Sequence, residues 1–378
     1  MKDKIWISSP HMGGNEQKFV KEAFDTNWVA PIGPNIDGFE SDLEEYLGKQ
    51  SHVSALNSCT AAIHLGLIIL GVKAGDTVIC QSLTFSASAN PIIYLGATPV
   101  FIDSELETWN LCPKALEAAI IDCIAKGSKP KVIITVHLYG MPYKIEEVRA
   151  IADYYKIPIL EDSAEALGSS YMKQKCGTFG DIGVVSFNGN KIITTSGGGA
   201  LITYSKEIKR RAIFLATQSR DYAPHYQHTE IGYNYRLSNI SAGIGRGQME
   251  VLEAHIQLRR NMHQFYLDLF KNIDEVIVFS VPNNDYFSNY WLTVIQITPK
   301  SVKGINREAL RLAFDKENIE SRPLWKPMHL QPIFAKYPYY GTMNAESLFK
   351  NGLCLPSGSN LTDKERESIQ KVIIDFFK

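Results

Sequence analysis

Five short apolar runs separated by stretches of helical periodicity constrain the fold of this chain more than any other feature. The runs, rich in Val and Ile, are Thr77–Cys80, Thr98–Ile102, Lys131–His137, Ile157–Glu161 and Ile182–Phe187. Four of the five are continuous rather than alternating, which is typical of strands buried on both faces of a sheet. The helical stretches between them are Thr60–Gly71, Phe85–Leu95, Lys114–Ala125 and Ile145–Tyr155. Such stretches supply the crossovers of a parallel sheet, so the pattern predicts an α/β fold with a mainly parallel central sheet flanked by helices.

The pattern of predicted strands and helices changes near Asn272. Before it, the pattern predicts a further strand at Gly198–Tyr204 and a long helix over Ser238–Leu269. After it come a polar stretch at Pro282–Asn289, a strand at Trp291–Thr298, and helices at Asn306–Glu317 and Thr362–Phe377. We therefore expect a large α/β domain over residues 1–271 and a small α+β domain over residues 272–378.

Charge and cysteine usage exclude several classes of function. The 39 basic residues balance 40 acidic ones, so no global positive field exists to attract nucleic acid or an anionic membrane. The six cysteines include no CxxC pair, and no Cys/His cluster has the spacing of a zinc site. The longest nearly apolar run, Ala61–Val72, is too short to span a bilayer. We expect a cytoplasmic protein with reduced thiols and no bound metal.

The sequence does not match the common nucleotide-binding and metal-binding motifs. Gly243–Gly247 lacks the third glycine of GxGxxG because Gln248 takes its place, and the segment lies in a helical stretch rather than after a strand. No GxxxxGK[ST] is present. His225 and His228 form an HxxH without a nearby third ligand, which favours a surface role over a metal site.

The segment Asn57–Ala61 places small hydroxyl residues directly before an apolar helical run. The first turn of a helix has backbone N–H groups without intrahelical partners, and the helix dipole adds positive potential there. The segment is therefore either an anion-binding helix start or a plain N-cap in which Ser58 or Thr60 serves only the helix.

Two acids, Asp162 and Glu165, follow the apolar run that ends at Glu161. Ligands of α/β sheets bind where parallel strands end, and a carboxylate beside a buried strand needs a partner. Asp162 is thus a candidate ligand-binding acid; the alternatives are that it caps the next helix or pairs with an arginine.

Lys191 lies between two apolar runs and precedes three consecutive glycines, Gly197–Gly199. It is either a surface lysine on a hairpin or a shielded amine, and apolar surroundings favour the neutral form, which attacks carbonyl groups. An anion-binding helix start, an acid at a strand end and a shielded lysine are the three protein groups that pyridoxal phosphate requires for its phosphate, its pyridine nitrogen and its aldehyde. Taken together they predict a pyridoxal phosphate site.

At these residues the chain resembles the DegT/DnrJ/EryC1/StrS sugar aminotransferases, which are fold type I pyridoxal phosphate enzymes. The matching motifs, spread over nearly the whole chain, are Pro10–Gly14, Asn57–Ala61, Glu161–Ala166, Ser186–Lys191, Gly232–Ser238 and Arg322–His329. Through Asn188–Gly199 it looks most similar to the UDP-4-keto-6-deoxy-N-acetylglucosamine 4-aminotransferases.

The resemblance implies roles for individual residues. Lys191 would form the imine with the cofactor aldehyde, Asp162 would pair with the pyridinium nitrogen, and Phe85 would cover one face of the ring. The phosphate would be held by Thr60, Ala61 and Ser186, together with Asn234 of a neighbouring subunit. The last contact implies a homodimer with shared active sites.

Two positions depart from the commonest family pattern. Cys59 stands where glycine is usual in the phosphate motif, and a small side chain is compatible with a negative φ. Glu165 stands where Gln or His is frequent near the phenolic oxygen of the cofactor. Because an ionised carboxylate would repel a phenolate, we expect Glu165 to be protonated or turned toward another donor.

Arg322, Trp325 and His329, at helix-like spacings around two prolines, are candidate substrate-binding residues. The guanidinium of Arg322 would suit a diphosphate, and the rings of Trp325 and His329 would suit a sugar or a base. The alternative is that these residues only pack between the domains. The resemblance implies transamination from L-glutamate to a nucleotide-linked keto sugar, of UDP type or of GDP-perosamine or dTDP type. A pyridoxal-dependent sugar dehydratase, which in known relatives has histidine at the lysine position, and a non-catalytic cofactor-binding protein are the rival interpretations.

Overall fold

The computed structural model describes residues 3–48, 50–298 and 305–378. The α-helices are α1 (Glu16–Asp25), α2 (Pro34–Leu47), α3 (Cys59–Ile69), α4 (Asn90–Tyr94), α5 (Pro113–Ala125), α6 (Ile145–Tyr155), α7 (Lys206–Ala216), α8 (Asn239–Met249), α9 (Leu252–Phe270), α10 (Arg307–Lys316), α11 (Asn344–Asn351) and α12 (Asp363–Phe377). Short 3₁₀ turns cover Ser86–Ser88, Leu138–Gly140 and Met328–Leu330.

The strands are β1 (His52–Leu56), β2 (Thr77–Gln81), β3 (Thr98–Ile102), β4 (Val132–Val136), β5 (Ile159–Asp162), β6 (Ser170–Tyr171), β7 (Gln174–Lys175), β8 (Ile182–Ser186), β9 (Gly199–Thr203), β10 (Val276–Val278), β11 (Tyr286–Phe287), β12 (Val294–Ile297), β13 (Arg322–Pro323), β14 (Tyr339–Tyr340) and β15 (Gly352–Cys354). The predicted apolar runs correspond to β2, β3, β4, β5 and β8, and the predicted Gly198–Tyr204 strand to β9.

A large mixed sheet organises the molecule. Its strand order is β1-β9-β8-β5-β4-β2-β3-β14, and β8, β5, β4, β2, β3 and β14 run parallel. β9 pairs antiparallel with both β8 and β1. Every residue of β2, β4, β5, β8 and β9 is buried, which explains their continuous apolar sequences. The α/β class with a mainly parallel sheet is confirmed.

Helices cover both faces of this sheet. On one face, Ile63 and Leu67 of α3 pack against residues such as Leu160 of β5. On the other, Leu116 of α5 and Val148 of α6 pack against the intervening strand positions. Adjacent strand residues therefore enter opposite cores, as the two-residue period of a strand requires.

A second, four-stranded antiparallel sheet, in the order β10-β12-β15-β13, lies in the C-terminal part of the chain. Helices α9, α10 and α12 share its core through side chains that include Tyr266, Phe314 and Ile373. Helix α12 begins with a complete capping box between Thr362 and Glu365. The boundary after residue 271 coincides with the end of α9 but stays a prediction, because Tyr339–Tyr340 returns to the large sheet and pairs with β3.

Several elements differ from the sequence expectations. The predicted long helix is two helices, α8 and α9, separated at Glu250–Val251. The predicted Phe85–Leu95 helix is reduced to a 3₁₀ turn and the short α4. Strand β1 and helices α1 and α2 were not predicted. The break between α8 and α9 contains neither Pro nor Gly, so the local sequence does not mark it. Strand β1 lies at the edge of the sheet and pairs with a strand that is distant in sequence, so the local sequence gives little indication of it either.

Candidate active site

A cleft opens at the carboxyl ends of the parallel strands. The cleft has a volume of about 210 Å³. The start of α3, the loop after β2, the end of β5 and the loop between β8 and β9 line its sheet side, and Trp291 and Trp325 line it from the C-terminal part of the chain. This position is the one at which open α/β sheets bind ligands.

The start of α3 contributes backbone donors to the cleft. Ser58 is the N-cap, and its Oγ accepts a hydrogen bond from the Ala61 N–H at 3.0 Å. Ser58, Cys59 and Thr60 line the cleft, whereas Ala61 lies behind them. Both interpretations of this segment are therefore compatible with the structure, because the cap leaves other first-turn N–H groups without an intrahelical partner at residues that line the cleft.

Gly199 lets β9 approach the start of α3. A Cβ atom on this residue would lie 2.3 Å from the backbone N of Cys59, closer than any real contact. A side chain here would push the strand away from the helix end. The glycine therefore allows β9 to lie directly against the start of α3.

Asp162 ends β5 and is 4% exposed. Ser88 Oγ donates to its Oδ2 at 2.6 Å, and the Ala164 N–H donates to Oδ1 at 3.1 Å. Burial raises the pKa of this carboxyl, while the Ser88 hydroxyl and the charge of Lys191 act in the opposite direction. Among the described residues no cation lies within ion-pair distance of it, so the arginine pairing considered from the sequence does not occur in that part of the chain.

Lys191 projects into the same cleft from the β8–β9 loop, and its side chain is 12% exposed. Its Nζ lies 3.6 Å from Glu165 Oε1 and 4.1 Å from the centre of the Trp291 ring. The surroundings of this shielded amine are therefore only partly apolar, because an aromatic ring and a carboxylate both lie beside it. The alternative of a solvated hairpin lysine does not fit its burial.

Glu165 is buried and is surrounded by donors. The Tyr139 N–H donates to Oε2 at 2.7 Å, and the Trp325 indole N–H donates to Oε1 at 3.2 Å. Burial raises the pKa of its carboxyl, and the neighbouring Lys191 charge opposes that rise. The Glu165 carboxylate therefore has other donors as neighbours, namely the Tyr139 and Trp325 N–H groups. This is the arrangement we expected for a carboxylate that would otherwise repel a phenolate.

Aromatic side chains border the opening. Phe85, half exposed, lies 5.2 Å from Trp325 between ring centres. Trp325 also stacks on Tyr139 at 6.2 Å and donates its backbone N–H to the Tyr139 hydroxyl. Ser186, at the end of β8, lines the cleft beneath them.

Besides Ala61, three predicted site residues lie outside the cleft. Asn234 is exposed, and its backbone carbonyl accepts from the Asn57 side chain at 3.1 Å. Arg322 lies on β13 and donates twice to Glu320 Oε1. His329 hydrogen bonds with Ser82 at 2.7 Å and with Glu346 at 3.1 Å. The helix-like spacing of this segment was misleading, because the segment is a short strand followed by a 3₁₀ turn.

Sequence reasoning did not identify Ser88, Tyr139 or Trp291 as site residues. Tyr139 has a positive φ of 54°, which turns its N–H toward Glu165. Trp291 appeared only as the start of a predicted strand. Ser88 follows Phe85 by three residues and lies in the first turn of the predicted Phe85–Leu95 helix, where a hydroxyl residue beside a candidate site residue was a usable signal.

Among the described residues, no group of three or more His, Cys, Asp and Glu side chains is suited to a metal ion. His225 contacts Gln227, and His228 contacts the Gln218 carbonyl, both on the surface. Among the same residues, none of the helices combines the length and apolar character of a bilayer-spanning segment.

Comparisons with known proteins cover nearly all of the chain. The family model described as DegT/DnrJ/EryC1/StrS aminotransferase family matches residues 10–374. A protein of Bacillus subtilis named putative pyridoxal phosphate-dependent aminotransferase EpsN is 46% identical, over 100% of this chain and 97% of its own. The GDP-perosamine synthase of Escherichia coli O157:H7 is 36% identical, over 99% and 98%.

Solved structures agree. A DegT/DnrJ/EryC1/StrS aminotransferase from Brucella abortus superposes with a TM-score of 0.88 at 29% identity, covering 96% of this chain and 95% of that one. The fold type I architecture expected from the resemblance is thereby confirmed. The chain belongs to the DegT/DnrJ/EryC1/StrS family and is a pyridoxal phosphate-dependent sugar aminotransferase.

Proposed function

We propose that this enzyme transfers the amino group of L-glutamate to the C4 ketone of a UDP-linked 4-keto-6-deoxy-N-acetyl hexosamine. The product would be a UDP-4-amino-4,6-dideoxy sugar for surface glycan or glycoprotein biosynthesis. The resemblance of Asn188–Gly199 to aminotransferases of that type supports the nucleotide and sugar. The observation that carries the reaction class is the convergence of Lys191, Asp162 and the start of α3 in one cleft.

The residues present fit pyridoxal phosphate. Asp162 is a buried carboxylate that faces the cleft without an ion-pair partner among the described residues, and a cationic pyridine nitrogen would offset the cost of that burial. Thr60 and Ser186 line the cleft beside the first turn of α3, where a phosphate is favoured. When bound, the cofactor supplies an electron sink for the substrate carbon that exchanges a proton.

Lys191 would hold and move the proton. Its amine is close enough to Glu165 and Trp291 to be oriented by both, and it is largely shielded from bulk water. A positioned amine of this kind serves as general acid and base on the substrate carbon. The same amine would release the cofactor as the first half-reaction begins and recapture it as the second half-reaction ends.

Glu165 and Asp162 would keep distinct roles despite their proximity. Asp162 holds the ring nitrogen, and the Ser88 hydroxyl fixes the carboxylate for that task. Glu165, held by the Tyr139 and Trp325 N–H groups, orients the Lys191 amine at 3.6 Å. Two N–H donors on one carboxylate restrict its rotation, and the nearby carboxylate in turn favours one position of the amine.

The substrate would enter between Phe85 and Trp325. These rings offer flat faces to a sugar or base, and Trp325 is the predicted substrate-binding residue that reaches the cleft. Arg322 and His329 would contribute after exchanging their present partners, Glu320 and Glu346, for substrate groups. Asn234 would complete the phosphate site of a neighbouring subunit, so we propose a homodimer with shared sites.

A GDP-linked keto sugar is the second candidate substrate. The relative from Escherichia coli is named GDP-perosamine synthase and is 36% identical over nearly the whole chain, which favours this alternative. The two candidates differ at the nucleotide and at the N-acetyl group. Neither alters the roles proposed for the sheet side of the cleft.

A substrate panel tests the proposal. Purified enzyme with its cofactor is given glutamate and, separately, UDP-, GDP- and dTDP-linked 4-keto-6-deoxy sugars, with and without an N-acetyl group. Mass spectrometry and NMR identify the amino sugar, and 2-oxoglutarate is quantified in parallel. We expect amination of the UDP-linked N-acetyl sugar at C4. Preferred amination of the GDP-linked sugar would replace the substrate assignment, and 2-oxoglutarate formation without any amino sugar would overturn it.

A further inference from the structure

Arg259 of α9 is a buried cation that contacts neutral atoms. Its side chain is 1% exposed, and it donates to the Trp291 carbonyl at 2.6 Å, Ser8 Oγ at 2.9 Å, the Ser357 carbonyl at 3.3 Å and the Lys191 carbonyl at 3.5 Å. Among the described residues, no carboxylate pairs with it. Burial lowers the pKa of the guanidinium to about 9, so it remains charged at neutral pH.

Burying a charge without a counter-charge is expensive unless its hydrogen bonds are satisfied. A neutral side chain that filled the same space would avoid that cost. The contacts of Arg259 therefore indicate what the charge is used for. They join α9 to Trp291 before β12, to Ser357 after β15 and to the loop that carries Lys191.

The bonds of Arg259 converge on the peptide that precedes Lys191. The Asn190 carbonyl accepts from Ser8 Oγ at 2.7 Å and from the Trp291 indole N–H at 2.7 Å. Ser8 and Trp291 are also the closest acceptors of the guanidinium. Arg259 thus fixes both groups that fix the Asn190 carbonyl.

The same connection reaches the amine itself. The Trp291 ring lies 4.1 Å from Lys191 Nζ, and the Trp291 main chain is held by the 2.6 Å bond from Arg259. The backbone start and the aromatic support of the lysine therefore depend on one guanidinium. A planar group with five N–H donors can make such bonds at fixed angles, which a lysine cannot reproduce.

We propose that Arg259 is a positioning residue for Lys191, locking the Asn190–Lys191 peptide and the Trp291 ring so that the lysine amine is held ready for the cofactor aldehyde. The inference rests on the proposed role of Lys191. A role in folding alone would lower stability without changing how fast the amine reacts. A positioning role changes that rate in protein that is still folded.

Arg259→Lys and Arg259→Met test the proposal, with Arg260→Met as the matched control. Arg260 is the next residue of α9, and it donates to the Ser288 carbonyl at 2.6 Å instead of to the Lys191 loop. Pyridoxal phosphate is added to the cofactor-free protein. Borohydride reduction at successive times then gives the rate of attachment to Lys191 by peptide mass spectrometry, and the Kd of the cofactor is measured separately.

We expect both Arg259 variants to slow attachment at least about tenfold, because a misplacement of about 1 Å costs up to about 10²-fold. The Kd should change less than about threefold, since the phosphate seat on α3 is untouched, and kcat should fall without a matching rise in KM. Arg260→Met should react at the wild-type rate. An Arg259→Lys protein that attaches the cofactor at the wild-type rate overturns the proposal, whatever its Tm.

Ser8→Ala keeps the inference testable if the Arg259 variants do not fold. It removes one hydroxyl from the connection and should slow attachment about two- to tenfold, the value of one neutral hydrogen bond. Combined with Arg259→Lys, its effect should be smaller than the product of the single effects, because both act on one carbonyl. An unchanged rate in Ser8→Ala overturns the inference. Wild-type protein that is not labelled at Lys191 overturns the proposed function and this inference with it.

Discussion

The two sides of the cleft are constructed differently. On the sheet side, strand ends and a helix start hold Ser58, Asp162 and Ser186 in place through the backbone of the large sheet. On the other side, Trp291 and Trp325 present rings from irregular segments of the C-terminal part. Polar groups aimed by secondary structure are suited to one fixed ligand, whereas aromatic faces tolerate variation in what they contact.

The charges on the two sides differ as well. Asp162 faces the cleft without an ion-pair partner among the described residues, while Arg322 and His329 are already paired with Glu320 and Glu346. The sheet side thus offers an unpaired carboxylate to a cofactor, whereas Arg322 and His329 lie outside the cleft with partners of their own. Substitutions on the sheet side should therefore cost activity far more than substitutions opposite it.

The largest effect is expected for Lys191→Ala. Turnover should fall at least about 10³-fold, because the proton carrier and the covalent anchor are lost together. Cofactor should still bind through the start of α3, which equilibrium dialysis can measure. Turnover within about tenfold of wild type would show that the essential amine lies elsewhere. It would also contradict the expectation that substitutions on the sheet side of the cleft cost more activity than those on the other side.

Asp162→Asn should lower kcat about 10²-fold, because a neutral amide no longer favours a protonated ring nitrogen. Steady-state kinetics with saturating cofactor measure this effect. Asp153→Asn is the control, since Asp153 is an exposed acid on α6. A wild-type kcat in Asp162→Asn would contradict the assigned role of the buried carboxylate.

Trp325→Ala should raise KM for the keto sugar about tenfold, the value of one stacked aromatic contact. KM for glutamate should change much less, because the effect belongs to the side opposite the cofactor. Trp325→Phe keeps a ring and loses the 3.2 Å bond to Glu165, so it separates stacking from carboxylate orientation. Equal increases for both substrates would show that Trp325 serves the cofactor side instead.

Glu165→Gln should lower kcat less than about fivefold and shift the pH profile of the cofactor absorption band. Burial raises the pKa of the Glu165 carboxyl. As the pH rises through that pKa, a negative charge appears beside the cofactor and raises the apparent pKa of the absorption change. Glutamine lacks this charge, so the transition should move to lower pH. Identical apparent pKa values in both proteins would exclude an influence of Glu165.

The smallest effect is expected for Arg322→Gln, with KM for the nucleotide sugar rising less than about threefold. Its guanidinium is exposed and donates to Glu320 at 2.6 and 2.9 Å, and pairs of this kind contribute little. A rise above about tenfold would show that Arg322 leaves Glu320 for the substrate. That result would restore the role as a diphosphate fork expected from the sequence.

The sheet side could be predicted because its signals are local. A hydroxyl N-cap at Ser58 precedes an apolar helix, and Asp162 ends a continuous apolar strand. Each motif identifies both its element and its place at a strand end or helix start. The parallel sheet then brings these ends together without further information from the sequence.

The opposite side could not be predicted, because its residues are positioned by contacts between distant parts of the chain. Nothing near Trp291 in the sequence indicates that its ring lies beside Lys191, and nothing near Arg259 reveals its bond to Ser8. The spacing of Arg322 and His329 suggested a helical face, yet separate glutamates hold them. Periodicity reports which face of an element is buried and does not report its partners.

The strand Tyr339–Tyr340, which pairs with β3, limits how this enzyme can be recombined with its relatives. A chimera made by exchanging everything after residue 271 would also replace the outermost strand of the host sheet. A graft that omitted it would leave the open hydrogen-bonding groups of β3 to recruit another chain and aggregate. Attempts to change sugar preference by swapping C-terminal parts should therefore take Tyr339–Tyr340 from the same parent as β3.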